Sequence, residues 1–312
     1  MKCDFMKKIL ALMLTVALLL TLMSCAGADQ RPMIGVAWRS NQESETFVAT
    51  CKAIESAGGK AVLLPQVLSA DLSYEEGMLQ GATNADGSLS DAAAKLVRCN
   101  TWQGSNAASV MEGIAAIVFP GGEDISPSLY YDSQPVQTPE GFSAERDVSD
   151  YLLMSYCLEN DIAILAICRG MQLLSVVSGA EMMQDIPDAF EELGLVYSYD
   201  HRNEPETPGT YRDFAFHDVL VTERDSLLYR LVGTDVIQNG PSWHHQAVKS
   251  VEGTRLTVTG VTKTSGIDMI EAVERQDKTF VLGIQFHPEI AVVRELDDTS
   301  LCYFTAIVEA AQ

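Results

Sequence analysis

The chain has 312 residues, with 21 Lys and Arg against 43 Asp and Glu, which gives a formal net charge of −22. Of these residues, 47% are apolar, so the chain can bury a sizeable core as one large domain or two small ones. Nucleic-acid binding rests on basic side chains that neutralise phosphates, and no basic stripe interrupts this acidic background. The composition therefore excludes a largely disordered chain and argues against a nucleic-acid partner.

The N-terminal segment is typical of an export signal. Lys2, Lys7 and Lys8 precede an almost wholly apolar run over residues 9–22. This run is shorter than the ~20 residues that a membrane-spanning helix needs. It is followed by Met-Ser-Cys, and the Leu-Met-Ser-Cys sequence resembles the lipobox of bacterial lipoproteins, in which cleavage leaves a lipidated cysteine, here Cys25.

We therefore predict a lipoprotein signal over residues 1–24, a tether over 25–32 and a single folded domain over 33–312. An ordinary secretory signal or an uncleaved anchor is the alternative interpretation. Because the rest of the chain is acidic and would be repelled by anionic headgroups, membrane attachment would come through acyl chains on Cys25. The expected location is the bacterial cell envelope, and self-association into a homo-oligomer is left open.

In the first half of the domain, apolar segments of strand length alternate with segments of helical period. This alternation predicts a mostly parallel sheet covered by helices on both faces, which is a three-layer α/β sandwich. The predicted strands cover residues 33–38, 61–64, 114–119 and 162–166, and the predicted helices cover residues 45–57, 144–158 and 169–177.

The second half of the domain changes character. Four predicted strands, over residues 218–221, 256–261, 269–273 and 281–286, have little helix between them, and a last helix covers 300–310. This pattern predicts an antiparallel extension of the same sheet. Residues 66–112 fit neither pattern, apart from a modest helical period over 90–98. They are predicted to be an insertion near the sheet edge that holds ligand sites in α/β proteins, where substrate specificity would be set.

The first candidate for chemistry is Ala-Ile-Cys-Arg-Gly-Met-Gln over residues 166–172. A strand leads directly into a helix through a bend at Cys168, which is the geometry of a nucleophile elbow with a small residue, Gly170, in the tight turn. A helix N-terminus favours the thiolate because its N–H groups present positive potential. Taken alone, however, a buried structural cysteine is the better explanation of such a residue.

The second candidate is His287-Pro288-Glu289, directly after a predicted strand. A histidine at one strand end can meet a nucleophile at the end of a neighbouring strand, and a carboxylate can hold its other ring nitrogen. Alone, the sequence is typical of a turn with a solvated carboxylate. Together with Cys168, it predicts a nucleophile, a base and a group that orients the base.

The third candidate follows the predicted strand that ends at Phe119. Gly121 and Gly122 could allow backbone N–H groups to point into a cleft, where they would stabilise an oxyanion. Alone, this sequence is an ordinary glycine-rich turn.

In combination, these motifs resemble the class I glutamine amidotransferase superfamily, and within it the γ-glutamyl-γ-aminobutyrate hydrolase-like branch, the C26 cysteine peptidases. The resemblance covers residues 33–311 except for the insertion. Its marks are Gly-Gly-x-Asp-x-x-Pro-x-x-Tyr over 121–130, Arg146-Asp147, the Cys168 elbow, Ser242-x-His244-His245-Gln246 and His287-Pro288-Glu289.

The resemblance implies a flavodoxin-like fold of the class I glutamine amidotransferase type. It also implies a nucleophile at Cys168, a base at His287 and an orienting group at Glu289. The oxyanion donors would be the backbone N–H groups of Gly122 and Arg169, with Gly121 as a further candidate. Substrate-binding residues would be Gln172, Ser242 and His244.

The implied activity is cysteine-dependent hydrolysis of a small γ-glutamyl substrate through a thioester, without a cofactor. No metal is expected, since the histidines at 201, 217, 244 and 245 lack a regular ligand spacing. His244 is weighed evenly between lining the site and a structural role. The leaving group is left open. The alternatives are a lipoprotein that binds γ-glutamyl ligands without turnover and a glutaminase subunit that delivers ammonia to a synthase.

Overall fold

The computed structural model describes residues 30–130, 141–204 and 213–312, and Pro32–Gln312 forms one compact unit. The predicted export signal and Cys25 lie outside the described residues. Within the described ranges, no helix combines the length and apolar character needed to cross a bilayer.

The described part of the chain contains thirteen strands and nine α-helices. The strands are β1 (Met33–Val36), β2 (Lys60–Leu63), β3 (Tyr74–Glu75), β4 (Met78–Leu79), β5 (Ala116–Phe119), β6 (Ala163–Ile167), β7 (Glu181–Met183), β8 (Ala215–Val221), β9 (Val236–Ser242), β10 (Ala247–Ser250), β11 (Thr257–Thr264), β12 (Ile267–Glu274) and β13 (Val281–Ile284). The helices are α1 (Glu45–Ser56), α2 (Asp91–Asn100), α3 (Ala107–Val110), α4 (Ala144–Glu159), α5 (Arg169–Val177), α6 (Ile186–Glu192), α7 (Leu227–Val232), α8 (Pro288–Val293) and α9 (Leu301–Ala310).

Five parallel strands, in the order β2-β1-β5-β6-β13, form one half of the main sheet. Ile167 at the end of β6 pairs with Ile284 on β13, and Ala166 pairs with Phe119 on β5. Because parallel strands end at the same edge of a sheet, the segments that follow β5, β6 and β13 are neighbours.

The other half of the sheet is antiparallel. It continues from β13 in the order β12-β11-β8-β9, while β10 pairs with β12 and with β7. The predicted α/β fold, with a parallel centre and an antiparallel extension, is confirmed.

Apolar clusters cover both faces of the parallel half. Ile164 faces the cluster that includes Leu152 of α4, whereas its neighbour Leu165 faces the cluster that includes Phe304 of α9. Successive residues of a strand point to opposite faces of the sheet. Because both faces are covered here, residues on both faces must be apolar. This is why β6 has a continuous apolar sequence, and why helices pack on both sides of it.

The predicted elements form close to the expected positions. The elements that were not predicted are β3, β4, β7, β9, β10, α3, α6, α7 and α8. β9 contains Gly240 and Pro241, which are typical of turns. β9 is an edge strand, and a sheet edge tolerates proline because no neighbouring strand needs its missing N–H group.

Candidate active site

Cys168 lies between β6 and α5 with φ 52° and ψ −108°. A residue other than glycine rarely adopts a positive φ, and such strained positions cluster at functional sites. A Cβ on Gly170 would clash with the carbonyl oxygen of Phe119, so only glycine fits at this point of the turn. The backbone therefore has the elbow geometry that the sequence predicts.

His287 and Glu289 follow β13 and are buried. The Nδ1 atom of His287 lies 2.6 Å from Oε1 of Glu289. Burial disfavours the charged ring, but the Glu289 carboxylate and then Cys168 outweigh it and raise the pKa of His287 well above its ordinary value. The ring can thus hold a proton between an anionic oxygen and the sulfur.

Cys168 and His287 meet beside Gly121. A Cβ on Gly121 would lie 2.9 Å from Cε1 of His287 and 3.5 Å from Cβ of Cys168. The Sγ atom of Cys168 lies 3.9 Å from the carbonyl oxygen of Trp243. The structure therefore brings the predicted nucleophile, base and orienting carboxylate together, although they come from two separate strand ends.

The predicted oxyanion donors border the same place. Gly122, with φ 147°, lines the cavity in front of Cys168. Arg169 is the first residue of α5, and N–H groups in the first turn of a helix have no intrahelical partner. Gly121 packs against the imidazole ring. These positions fit two backbone donors near the sulfur.

A buried ion network supports this part of the site. The side chain of Arg169 forms ion pairs with Asp147 at 2.7 Å and with Asp150 at 2.6 Å. Arg146 also contacts Asp150 and donates hydrogen bonds to the carbonyl oxygens of Pro120 and Gly121. The Arg169 guanidinium is therefore occupied, and the network fixes α4 against the loop after β5.

Glu123 extends the network to the cavity. It pairs with Arg146 at 2.6 Å and with Arg39 at 2.9 Å. Burial raises the pKa of Glu123, but the two guanidinium groups outweigh this effect and lower it to about 2. Glu123 is thus an anion at neutral pH.

The site opens into a cavity of about 310 Å³, which is the size of a small-molecule site. Besides His287, the charged side chains that line it are Arg39, Arg202, His245, Glu45, Glu123 and Asp124. His245 lies within 3.2 Å of both Asp124 and Asp185. Burial lowers the pKa of His245, but these two carboxylates raise it to about 9. The cavity therefore carries charges of both signs.

The three predicted substrate-binding residues have different positions. Gln172 lines the cavity, and its amide nitrogen donates to the carbonyl oxygen of Gln246 at 3.1 Å. Ser242 is fully buried, is not among the residues lining the cavity, and donates to the carbonyl oxygen of His201. His244 lines the cavity, but its Nδ1 atom lies 2.8 Å from the Gln246 carbonyl oxygen and its Nε2 atom faces Glu271. Gln172 and His244 thus border the cavity as expected, whereas Ser242 does not.

The segment 66–112 was expected near the edge of the sheet that holds the ligand site. Leu89 of this segment exchanges hydrogen bonds with Ser126 and Ser128 of the loop after β5, so part of the segment lies near that edge. Among the described residues, none that lines the cavity belongs to it. The segment forms the β3–β4 hairpin and α2 instead, and Leu89 and Val97 join the core cluster with Val148 of α4. Apolar burial against α4 fixes the segment, and its role in substrate specificity stays a prediction.

The sequence also did not predict a group that we call the histidine cluster, which consists of His201, His217, His244 and Glu271. One possible ligand atom from each lies within 4.8 Å of the others. Ligand spacing could not reveal this cluster, because the four residues come from separate segments that only the folded sheet brings together.

Several cavity residues were also missed. Asp124 lies in the glycine-rich motif and Arg39 lies just after β1, so the rule that ligands bind at the ends of parallel strands could have found both. His245 was quoted only as part of a motif. No local pattern indicated Phe214 or Trp243, which also line the cavity.

Comparison with known families agrees with this geometry. The model of the Peptidase C26 family matches residues 92–289. The chain belongs to this family. Membership makes it a glutamine amidotransferase-like hydrolase and confirms the resemblance that the motifs indicated.

Two curated relatives illustrate the similarity. Protein NtpR of Enterococcus hirae is 32% identical over 198 residues, which are 64% of this chain and 76% of that protein. Gamma-glutamyl-gamma-aminobutyrate hydrolase PuuD of Escherichia coli K12 is 32% identical over 176 residues, which are 55% of this chain and 63% of the relative. The match thus spans less than two thirds of the second relative.

A solved structure shows the same fold. The glutaminase domain of Trypanosoma brucei CTPS superimposes with a TM-score of 0.51 at 16% identity, covering 89% of this chain and 92% of that one.

Proposed function

We propose that the chain is a cysteine-dependent hydrolase that cleaves the γ-glutamyl amide bond of small compounds and releases glutamate and an amine. One observation carries this proposal. Cys168, His287 and Glu289 converge on a cavity of about 310 Å³ at the ends of two adjacent parallel strands. The named hydrolase among the relatives supports the same chemistry.

In the first step, the Cys168 thiolate attacks the carbonyl carbon of the γ-amide, and the electron pair of the C=O bond moves to oxygen. The backbone N–H groups of Gly122 and Arg169 would hold this oxyanion. When the intermediate collapses, the C–N bond breaks and His287 gives its Nε2 proton to the departing amine. A γ-glutamyl thioester remains.

In the second step, water hydrolyses the thioester. His287 takes a proton from water, the oxygen attacks the thioester carbon, and collapse of the second oxyanion expels the Cys168 thiolate. Glutamate leaves, and the imidazolium is restored beside the thiolate. Glu289 would hold Nδ1–H throughout and favour the charged ring.

The charges of the cavity support a γ-glutamyl substrate. Such a group carries an α-ammonium and an α-carboxylate, and each needs a partner of opposite charge. Arg39, Arg202 and His245 offer positive charge, while Glu45, Glu123 and Asp124 offer negative charge. A wall with both signs suits a zwitterion better than a ligand of one sign.

The decisive experiment is a substrate panel. The purified full chain is given γ-glutamyl-γ-aminobutyrate, γ-glutamyl dipeptides, polyglutamylated compounds and free glutamine under reducing conditions, and glutamate release is measured. We expect release from γ-glutamyl amides, abolished in Cys168→Ala. Cys302→Ala is the matched control, because this half-buried thiol lies outside the cavity.

Two outcomes would contradict the proposal and favour a different function. Release from glutamine alone would favour the glutaminase subunit. Binding of γ-glutamyl ligands with no release from any compound would favour the non-catalytic binding lipoprotein.

For localisation, we propose an exported chain held at the membrane by a lipid on Cys25. This rests on the N-terminal sequence alone. Cys25→Ser should move the chain from the membrane fraction to a soluble or unprocessed form. Unchanged partitioning would show that the anchor is not at Cys25.

A further inference from the structure

The histidine cluster is buried in the antiparallel half of the sheet and takes no part in the proposed reaction. His201 precedes β8, His217 lies on β8, His244 lies between β9 and β10, and Glu271 lies on β12. The exposed fractions are 0% for His201 and Glu271, 4% for His244 and 7% for His217. Charged and titratable groups are rarely buried to this extent unless a partner satisfies them.

Hydrogen bonds on the far side of each ring determine where its proton lies. Nε2 of His201 is 2.7 Å from Oγ1 of Thr264, and this hydroxyl donates to Oδ2 of Asp200 at 3.0 Å. A hydroxyl has a single hydrogen to donate, so Thr264 can only accept from the ring. In the neutral ring, the proton of His201 is therefore on Nε2, and Nδ1 carries a lone pair.

The other two rings follow the same rule. Nδ1 of His217 is 2.9 Å from Oγ1 of Thr262, and this hydroxyl donates to the carbonyl oxygen of Asp218 at 2.7 Å. Nδ1 of His244 is 2.8 Å from the carbonyl oxygen of Gln246, which can only accept. In both neutral rings, Nδ1 holds the proton and Nε2 carries a lone pair.

All three lone pairs face the Glu271 carboxylate. The nitrogen–oxygen distances are 3.1 Å for His201, 3.6 Å for His244 and 3.7 Å for His217. Among the described residues, none makes a hydrogen bond of good geometry to these three nitrogens or to either carboxylate oxygen. Lone pairs packed around a buried anion repel each other unless a cation lies between them.

In the neutral form that these far-side hydrogen bonds fix, each ring directs one lone pair at Glu271. The neutral ring is the form in which histidine binds metals.

We propose that the histidine cluster binds one divalent transition-metal ion, with Zn²⁺ the best fit, through Nδ1 of His201, Nε2 of His217, Nε2 of His244 and one oxygen of Glu271. Imidazole and carboxylate ligands suit zinc, and four protein ligands without solvent access are typical of a structural site. The threonine hydroxyls and the Gln246 carbonyl are the kind of outer partners that orient metal-binding histidines.

The distances permit such a site. Ligands of a tetrahedral zinc ion lie about 3.3 Å apart. The widest pair in the cluster is no more than 4.8 Å apart, so shifts of under about 1 Å for each side chain suffice. Because His244 lies between Trp243 and His245, which line the cavity, the ion would also tie the cavity wall to β8 and β12.

The test begins with the full chain carrying Cys168→Ala, so that the proposed nucleophile cannot bind metal. After chelation and dialysis, the protein is loaded with Zn²⁺ or Co²⁺ and separated from free ion by gel filtration. We expect one equivalent of metal for each chain, a higher melting temperature, and the visible cobalt spectrum of a tetrahedral site. A thiolate-to-cobalt charge-transfer band should be absent, because the cluster contains no sulfur.

Variants of outer threonines separate metal binding from general damage to the fold. Thr262→Val and Thr264→Val remove the hydroxyls that orient His217 and His201, and they should weaken zinc binding about 10- to 100-fold. Thr259→Val is the matched control, since this buried hydroxyl on the same strand has no hydrogen-bond partner among the described residues. Glu271→Gln removes a ligand and should weaken binding more than either threonine variant.

Three results would overturn the proposal. The first is a Cys168→Ala chain that retains no metal and melts at the same temperature with and without zinc. The second is a cobalt spectrum with a thiolate band or octahedral geometry. The third is equal zinc affinity of the Thr259, Thr262 and Thr264 variants, each checked for folding by circular dichroism. If Glu271→Gln does not fold, the zinc affinities of the three threonine variants still test the proposal.

Discussion

The two halves of the sheet each bury a glutamate beside histidine, but with opposite proton arrangements. In the parallel half, Glu289 accepts a hydrogen bond from His287 at 2.6 Å, at the end of a strand and beside a cavity. In the antiparallel half, Glu271 lies on a strand and faces the lone pairs of three rings. The first arrangement suits proton transfer, whereas the second suits a cation. The residue types are the same in both places. The difference comes from the partner of the ring nitrogen that points away from the glutamate, because this partner decides which nitrogen carries the proton.

The largest expected effect compares the two glutamates directly. Glu289→Gln should lower kcat about 10³- to 10⁴-fold, because the ring loses the carboxylate that orients it and stabilises its charge. Since Glu289 raises the pKa of His287, the alkaline limb of the kcat/KM profile should also move to lower pH. Metal content should stay as in the wild type.

Steady-state kinetics across pH and elemental analysis on the same samples measure both outcomes. Wild-type turnover in Glu289→Gln would contradict a catalytic role for Glu289. Loss of metal from a folded Glu289→Gln chain would contradict the separate roles of Glu289 and Glu271.

The second prediction concerns acid stability of the parallel half. Because the pKa of Glu123 is lowered from 4.5 to about 2 in the fold, its ionisation stabilises the native state above pH 4.5. This contribution is lost as pH falls from 4.5 towards 2 and is worth roughly 3 kcal/mol when complete.

Glu123→Gln should therefore reduce the free energy of unfolding at pH 7 by roughly 3 kcal/mol. It should also make this free energy depend less on pH below pH 4.5. Urea titrations at several pH values measure both effects. Asp235→Asn is the control, since the Arg224–Asp235 pair is exposed and should contribute little to stability. Equal effects of the two variants would contradict the assignment of Glu123 to a buried network.

The third prediction tests the close packing at the reaction centre. The Cβ of Gly121→Ala would lie 2.9 Å from the His287 ring, which must then move. Displacement of a reacting group by about 1 Å can cost roughly 10²-fold in rate. We expect that loss in kcat, with little change in melting temperature.

Gly104→Ala is the matched control for this variant, because its Cβ meets only the end of the exposed Asp71 side chain, at 3.2 Å. Comparable rate losses in the two variants would show that the effect does not come through His287.

The smallest effect should come from the segment 66–112. Met78 is 56% exposed on the β3–β4 hairpin, so Met78→Ser should leave the ratios of kcat/KM among γ-glutamyl substrates within about twofold. A clear change of substrate preference would return the segment to the role first expected of it. The substrate panel described above measures this directly.

The sequence predicted the parallel half better than the antiparallel half. Helix α5 formed over the predicted residues, and β6 was predicted to within one residue at each end. β6 is a short continuous apolar run, and the elbow motif at Cys168 marks where the strand ends and the helix begins. The antiparallel half was predicted only in outline. α7 was missed because it has six residues, and β9 because glycine and proline interrupt it.

The candidate site was also predicted only in part. Cys168, His287 and Glu289 lie in short motifs next to predicted strands, so the strand-end rule indicated that they would meet. Their catalytic roles stay predictions, as do the roles of Gly121, Gly122 and Arg169. The strand-end rule could have indicated Arg39, but not its pairing with Glu123, which lies 84 residues away. The contribution of His245 to the cavity could not be predicted, since it depends on Asp124, which lies 121 residues away.

The sequence by itself determined the parallel α/β core, the elbow at Cys168 and the strand-end position of His287, because periodicity and motif spacing are local properties of the chain. Only the tertiary structure decided that the segment 66–112 packs on α4, that Ser242 is buried away from the cavity, and that three histidines surround Glu271. These facts depend on strand pairing and on hydrogen bonds between distant residues. A local sequence pattern does not show which polar atoms these long-range hydrogen bonds leave without a partner.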